Sequence, residues 1–183
     1  MAASLAGTVE TADLPVGIEL RAFDLRSDEP LRRVVEALDE AFRDHYGHVQ
    51  GNLDERFEGW EYQIRNDPEY DPELSLVARD GDEIAGACLS AAVFESDTAK
   101  AYVNSLGVRR PWRGRGIALA LLRGVFRTLL AMGKKGVALH VDSESPTGAT
   151  RLYEKAGMHV DQLSHEYQLV LREGVDLSTQ SLE

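Results

Sequence analysis

The chain has 183 residues, enough for one domain and few for two. Hydrophobic residues make up 43% of it, and no apolar run reaches the ~18 residues of a membrane span. The formal net charge of −11 disfavours nucleic acid as a partner and favours a cationic, amine-bearing one, beside the plainer role of keeping the chain soluble.

Residues 1–16 are small, polar and aperiodic and are expected to form a loose arm. They lack the basic segment of an export signal, and Cys88 is the single cysteine, so no internal disulfide forms and a cytoplasmic location is expected. Ile18–Phe23 alternates apolar and polar residues, as a half-buried strand does. Asp28-Glu29-Pro30 starts a helix, continued by Leu31, Val34, Val35, Leu38 and Phe42 at helical spacing. Asn52-Leu53-Asp54-Glu55 opens a second helix, with Phe57, Trp60 and Ile64 on its apolar face and a stop at Asp67-Pro68. Leu74–Arg79 and Glu83–Phe94 read as strands of a hairpin turned by Asp80-Gly81-Asp82. Tyr102–Val108 is a strand, Ile117–Met132 a helix stopped by Gly133-Lys134-Lys135-Gly136, and Val137–Val141 a further strand. A short helix over Thr147–Ala156 and two strands, Met158–Val160 and Tyr167–Leu171, complete a β-α-α-β-β-β-α-β-α-β-β order. This is a mixed α/β domain with one core, set at 17–172, with a flexible tail over 173–183.

The most informative stretch joins the Tyr102–Val108 strand to the long helix. It is a basic, glycine-rich turn, Arg113-Gly114-Arg115-Gly116-Ile117-Ala118. First-turn N–H groups of a helix lack intrahelical partners and carry partial positive charge, and glycine lets a ligand approach the backbone. The turn is therefore suited to a phosphate or pyrophosphate. The blander alternative is an ordinary turn with solvated arginines. Arg109, Arg110, Arg113 and Arg115 cluster here in an otherwise acidic chain, which favours the anion site.

These features resemble the GNAT superfamily of acetyl-CoA-dependent N-acetyltransferases. Its loop pattern, Gln/Arg-x-x-Gly-x-Gly/Ala, is matched by Arg113, Gly116 and Ala118, after a Leu-x-Val strand matched by Leu106-Gly107-Val108. Its second signature, Ala-x-x-Leu-Tyr-x-x-x-Gly, is matched by Ala149, Leu152, Tyr153 and Gly157. A narrower likeness to mycothiol synthase-like proteins rests on Ala41–Gly47 and Val141-Asp142. The resemblance implies a central mixed sheet of six to seven strands, with its fourth and fifth strands splayed, and about four flanking helices. It implies acetyl-CoA as cosubstrate, no metal, a small-molecule primary amine as acceptor, and allows a homodimer.

By the same resemblance, Leu106, Gly107 and Val108 hold the pantetheine through their backbone. Backbone groups of Arg113, Gly114, Arg115, Gly116, Ile117 and Ala118 hold the pyrophosphate, with the Arg109 and Arg113 side chains in reach of the adenosine phosphates. Tyr153 matches the tyrosine that serves the leaving thiolate; read without that resemblance it is a core aromatic of an amphipathic helix. Two departures stand out. Pro146 replaces the usual Asn, leaving Ser145 or Thr147 to supply a hydroxyl, and Tyr102 stands where relatives often have a glutamate base. The base is left open among water, held by Asn104, and Asp142, His140 or Glu95. His45 and His48 have no third metal ligand.

Two function classes follow. One is an acetyltransferase working by direct attack of the amine on the thioester. The other is a non-catalytic acetyl-CoA-binding module, a sensor or a degenerate half of a tandem protein. A dinucleotide-dependent oxidoreductase is disfavoured, because the turn lacks Gly-x-Gly-x-x-Gly and follows several strands.

Overall fold

The computed structural model describes residues 1–43, 51–142, 148–165, 167 and 169. The elements are β1 (Ala2–Ser4), β2 (Ile18–Ala22), α1 (Asp28–Phe42), α2 (Leu53–Asn66), β3 (Ser75–Asp80) and β4 (Glu83–Ala91). They continue with β5 (Lys100–Val108), α3 (Ile117–Ala131), β6 (Gly136–Ala138) and α4 (Ala149–Lys155). The strands make one mixed sheet in the order β1-β6-β5-β4-β3-β2, in which β5 and β6 run parallel and every other pair is antiparallel. The α/β class and the splay expected between the strands after Tyr102 and after Val137 are both present.

Both faces of the sheet are covered, which is why β3 and β4 are apolar nearly throughout. Leu76, Ala78 and Cys88 pack with Leu121, Leu122, Val125, Phe126 and Leu129 of α3. Val77, Ala87 and Leu89 face the other way, onto Leu31, Val34, Val35 and Leu38 of α1. Burying a side chain of this size contributes about 1.5–3 kcal/mol. The α3 stripe is thus anchored on the sheet from its first turn, where Ile117 is buried. That anchoring sets the glycine turn at one end of β5.

β5 carries a bulge. Leu89 pairs with Ser105 and Ser90 with Val103, so Asn104 is the extra residue. The bulge reverses the alternation of faces. Ala101 and Val103 lie in the α3-side core before it, whereas Leu106 and Val108 do so after it. Tyr102 and, past the bulge, Ser105 and Gly107 consequently turn to the α1 side. A Cβ on Gly107 would meet Ala41 Cβ at 3.0 Å and Leu38 Cδ2 at 3.1 Å, so glycine is what lets α1 lie this close to β5.

The first residues differ from the expected loose arm. Ala2–Ser4 pair antiparallel with Gly136–Ala138, and Ala3 and Leu5 are buried. The Met1 ammonium donates to Leu139 O at 2.7 Å, and Leu5 N–H donates to Lys135 O at 2.8 Å. A three-residue strand is too short to show periodicity in sequence; the edge of β6, with backbone groups in need of partners, recruits it. The strand expected at Met158–Val160 is reduced to a single bridge between His159 and Ala2. The one expected at Val137–Val141 stops at Ala138, because its neighbour departs there. Tyr167–Leu171 and Thr147 fall largely or wholly outside the described residues.

Candidate active site

β5 and β6 pair at only three positions, Lys100 with Gly136, Ala101 with Val137 and Tyr102 with Ala138. β5 then runs on to Val108, paired with β4 on one edge alone. The opened edge faces a cavity of about 460 Å³. One wall is Val103–Val108 and the other Leu139–Asp142; Ala149, Leu152 and Tyr153 of α4 and Ala41 and Phe42 of α1 close it from opposite sides. Arg109 N–H donates to Ala85 O at 2.9 Å, toward β4. Backbone direction alternates along a strand, so Leu106 and Val108 present their N–H and C=O groups to the gap.

At the end of the gap the chain makes a 3-10 turn over Arg110–Trp112 and enters α3. Gly114 and Gly116 have φ of 73° and 83°, in the left-handed region that favours glycine. Gly116 is the N-cap of α3 and has no capping side chain, so the first-turn N–H groups of Ile117 and Ala118 point outward uncapped. Ala118 lines the cavity, whereas the Ile117 side chain is core and only its backbone belongs to the turn. Leu106, Gly107, Val108, Arg113 and Tyr153 line the cavity too; Gly114, Arg115 and Gly116 form the exposed turn at its rim.

The side chains of Arg109 and Arg113 both have partners within the chain. Arg109 Nε donates to Glu40 at 2.7 Å and its NH1 to Glu83 at 2.8 Å and to Ile84 O at 3.0 Å, with Trp112 4.9 Å beneath the guanidinium. It ties α1 to the start of β4 and does not line the cavity. Arg113 Nε donates to Val108 O at 3.0 Å and its NH2 to Ala41 O at 2.9 Å. It occupies one of the carbonyls of the open edge and clamps the end of α1 against the cavity.

Tyr153 is 9% exposed. Burial, then the neighbouring Cys88 and Tyr102, push its phenol up to about 12, so it is a protonated donor at neutral pH. Cys88, fully buried behind it, is likewise pushed up to about 12 by desolvation and is an inert thiol. Among the candidate bases, Asp142 and His140 line the cavity, whereas Glu95 lies in the β4–β5 turn with φ 48° and does not. Tyr102 Oη lies 2.7 Å from His140 Nδ1. Ser145, Pro146, Thr147, His45 and His48 lie outside the described residues. Among the described residues there is no metal-binding cluster of three or more His, Cys, Asp or Glu, and no helix long and apolar enough to cross a membrane.

Residues 31–158 match the model of the acetyltransferase (GNAT) family. The chain belongs to this family. An acetyltransferase of Yersinia enterocolitica is 34% identical over 100 residues, 49% of this chain and 66% of its own. One of Pectobacterium atrosepticum is 36% identical over the same shares. The chain therefore spans just under two thirds of these relatives. Among solved structures, a GCN5-related N-acetyltransferase from Sphaerobacter thermophilus is 41% identical with a TM-score of 0.70, covering 87% of this chain and 47% of that one. An aminoglycoside acetyltransferase from a soil metagenomic sample, at 17% identity and a TM-score of 0.62, shares the fold, covering 84% of this chain and 97% of its own. So does the NatC complex bound to Gag peptide and CoA, at 18% identity and a TM-score of 0.58, covering 76% and 83%.

Within this GNAT domain the turn and Tyr153 were legible as motifs, but the Tyr102–His140 contact was not. It depends on the register of β5 against β6, for which three paired residues leave no sequence pattern.

Proposed function

We propose that the protein is an N-acetyltransferase that moves an acetyl group from acetyl-CoA to a primary amine of a small molecule, such as an amino acid derivative. The observation that carries the reading is the gap between β5 and β6, with an uncapped helix N-terminus at one end and Tyr153 inside. These residues fit a long thioester bearing a pyrophosphate: the backbone groups of Leu106 and the N–H of Val108, whose carbonyl Arg113 holds, for the pantetheine amides, and Arg113–Ala118 backbone for the pyrophosphate. Acetyl-CoA, when bound, supplies the activated acyl group.

The chain's own residues do the rest. The splayed strands exclude water from one side and align the acyl carbon for direct attack by the amine. Tyr153 donates a hydrogen bond to the forming thiolate. Its phenol, at about 12, is a weaker acid than a thiol of ordinary pKa near 8.5, so it stabilises sulfur charge by hydrogen bonding rather than by giving up its proton. Arg113 keeps Ala41 and Phe42 against the cavity. The acidic surface draws cationic acceptors. The buried free thiol of Cys88 suits a reducing cytoplasm.

The test is release of free thiol from acetyl-CoA with a panel of primary amines, including glycinamide, putrescine and tyramine, alongside calorimetry of acetyl-CoA binding. Binding with amine-dependent release supports the transferase. Binding without release from any amine supports the non-catalytic module, and no binding removes both.

A further inference from the structure

The attacking amine must lose a proton, and the β5 position at which many such enzymes carry a carboxylate holds Tyr102. Four observations bear on what replaces that carboxylate. Tyr102 is the last residue of β5 in register with β6, opposite Ala138. His140 follows two residues later, is exposed, and lines the cavity, whereas Tyr102 does not. The Tyr102 hydroxyl and His140 Nδ1 are 2.7 Å apart. Phe94 stacks on the Tyr102 ring at 5.0 Å and 7°, and meets the His140 ring edge-on at 6.4 Å. The imidazole thus stands between the phenol and the cavity, with Phe94 packed against both rings.

Strand alternation adds direction. Ala101 and Val103 belong to the α3-side core, so Tyr102 and its partner lie on the α1 side. Tyr153 comes from α4 and packs in the α3-side core. The gap is therefore flanked by a phenol on one face of the sheet and an imidazole on the other. A thioester lying in it would have its leaving sulfur and its attacking nucleophile served from opposite sides.

We propose that His140 accepts the proton of the acceptor ammonium, and that Tyr102 is a positioning residue whose hydroxyl oxygen accepts the His140 Nδ1–H and so leaves Nε2 as the basic nitrogen at the cavity. This rests on the transferase reading above. The first ammonium proton goes to Nε2 and then to solvent. The nitrogen lone pair forms the C–N bond, the C–S bond breaks, and the second nitrogen proton ends on the thiolate sulfur. The imidazolium formed in between keeps its Nδ1–H on the Tyr102 oxygen. Among the described residues, the other ionisable groups lining the cavity are Arg113, Asp142 and Tyr153. Lys100, along β5, is 3.8 Å from Asp97, and Glu95 follows Phe94 in the turn.

The test has two arms on the full chain. In long-range 1H–15N spectra of histidine-labelled protein, assigned by loss of a signal in His140→Gln, neutral His140 carries its proton on Nδ1. In Tyr102→Phe the proton moves to Nε2. A wild-type ring protonated on Nε2, or one unaltered by Tyr102→Phe, overturns the proposal whatever the activity. In the second arm, with glycinamide and acetyl-CoA, His140→Gln lowers kcat/KM about 10²-fold and removes the limb that rises with pH, as loss of a general base does. Tyr102→Phe lowers it about tenfold. Melting temperature and acetyl-CoA affinity stay at wild-type values in both variants. A His140→Gln enzyme with wild-type turnover and pH profile overturns the proposal and leaves the transferase standing. A wild-type protein that binds no acetyl-CoA fails the transferase instead, and the spectra still decide the tautomer.

Discussion

β5 has two edges with opposite fates. Toward β4 it is paired from Tyr102 with Ala91 to Val108 with Gly86, interrupted by one bulge. Toward β6 it is paired over three residues and then open. One edge holds the sheet together; the other exposes backbone groups that a folded protein normally satisfies. A stable pairing on one side is what permits the other to stay open. Substitutions should therefore separate: those at the β4 edge change stability, and those at the β6 gap change chemistry or binding.

The largest effect is expected inside the gap. Tyr153→Phe should lower kcat ten- to a hundredfold with the acetyl-CoA KM nearly intact, because sulfur charge develops only in the transition state. A positioned proton donor is worth roughly 10²–10⁴-fold, and a phenol raised to about 12 belongs at the lower end. The ring remains, so melting should be unchanged; full turnover in steady-state kinetics would make Tyr153 a core aromatic only.

Gly86→Ala attacks the closed edge. A Cβ there would meet Gly107 O at 2.6 Å, and backbone on both strands must shift. Overpacking of this kind costs about 1–3 kcal/mol. Denaturant unfolding should show the loss, while acetyl-CoA affinity of the folded fraction is retained. Equal losses in both would mean that the two edges are not independent.

Gly116→Val addresses the end of the gap. No atom crowds the position closely, the nearest being Asp13 O at 3.9 Å, but φ is 83°. Holding a β-branched residue there costs about 1–3 kcal/mol and turns the first helical N–H groups away. Calorimetry should find acetyl-CoA bound at least tenfold more weakly, with a smaller change in melting than Gly86→Ala causes. Normal binding would exclude the turn as the phosphate site.

The smallest effect is on pH. Burial raises Tyr153 and Cys88 from their ordinary values of 10.0 and 9.0 to about 12 in the folded chain. A group whose folded pKa lies above its unfolded one contributes stability that is full below the unfolded value and is lost as pH rises through the folded one. Melting temperature should therefore fall progressively between about pH 9 and pH 12, and Cys88→Ala should flatten the lower part of that fall. A melting temperature level across this range would mean that the cavity floor is wetter than the buried positions of these groups imply.

Much of this site is readable in one dimension because its parts are local. The Gly114–Ala118 turn needs glycine at left-handed positions, α3 needs its apolar stripe, and Tyr153 sits in a short helical signature; each requirement acts over a few residues. The side chains of Arg109 and Arg113 were not readable in this way. Their partners, Glu40, Glu83 and Ala41, are far away in sequence, so these contacts with carboxylates and carbonyls leave no local pattern. β1 was missed because three small residues carry no period.

By itself the sequence determined the α/β class, the glycine turn leading into α3, and the family, because apolar periodicity and backbone conformational preference are properties of short segments. Only the tertiary structure decided which edge of β5 stays open, which arginines are tied into the scaffold, and that His140 meets Tyr102. Those outcomes depend on strand register and on helices arriving from distant parts of the chain, and register is a relation between segments that no single segment encodes.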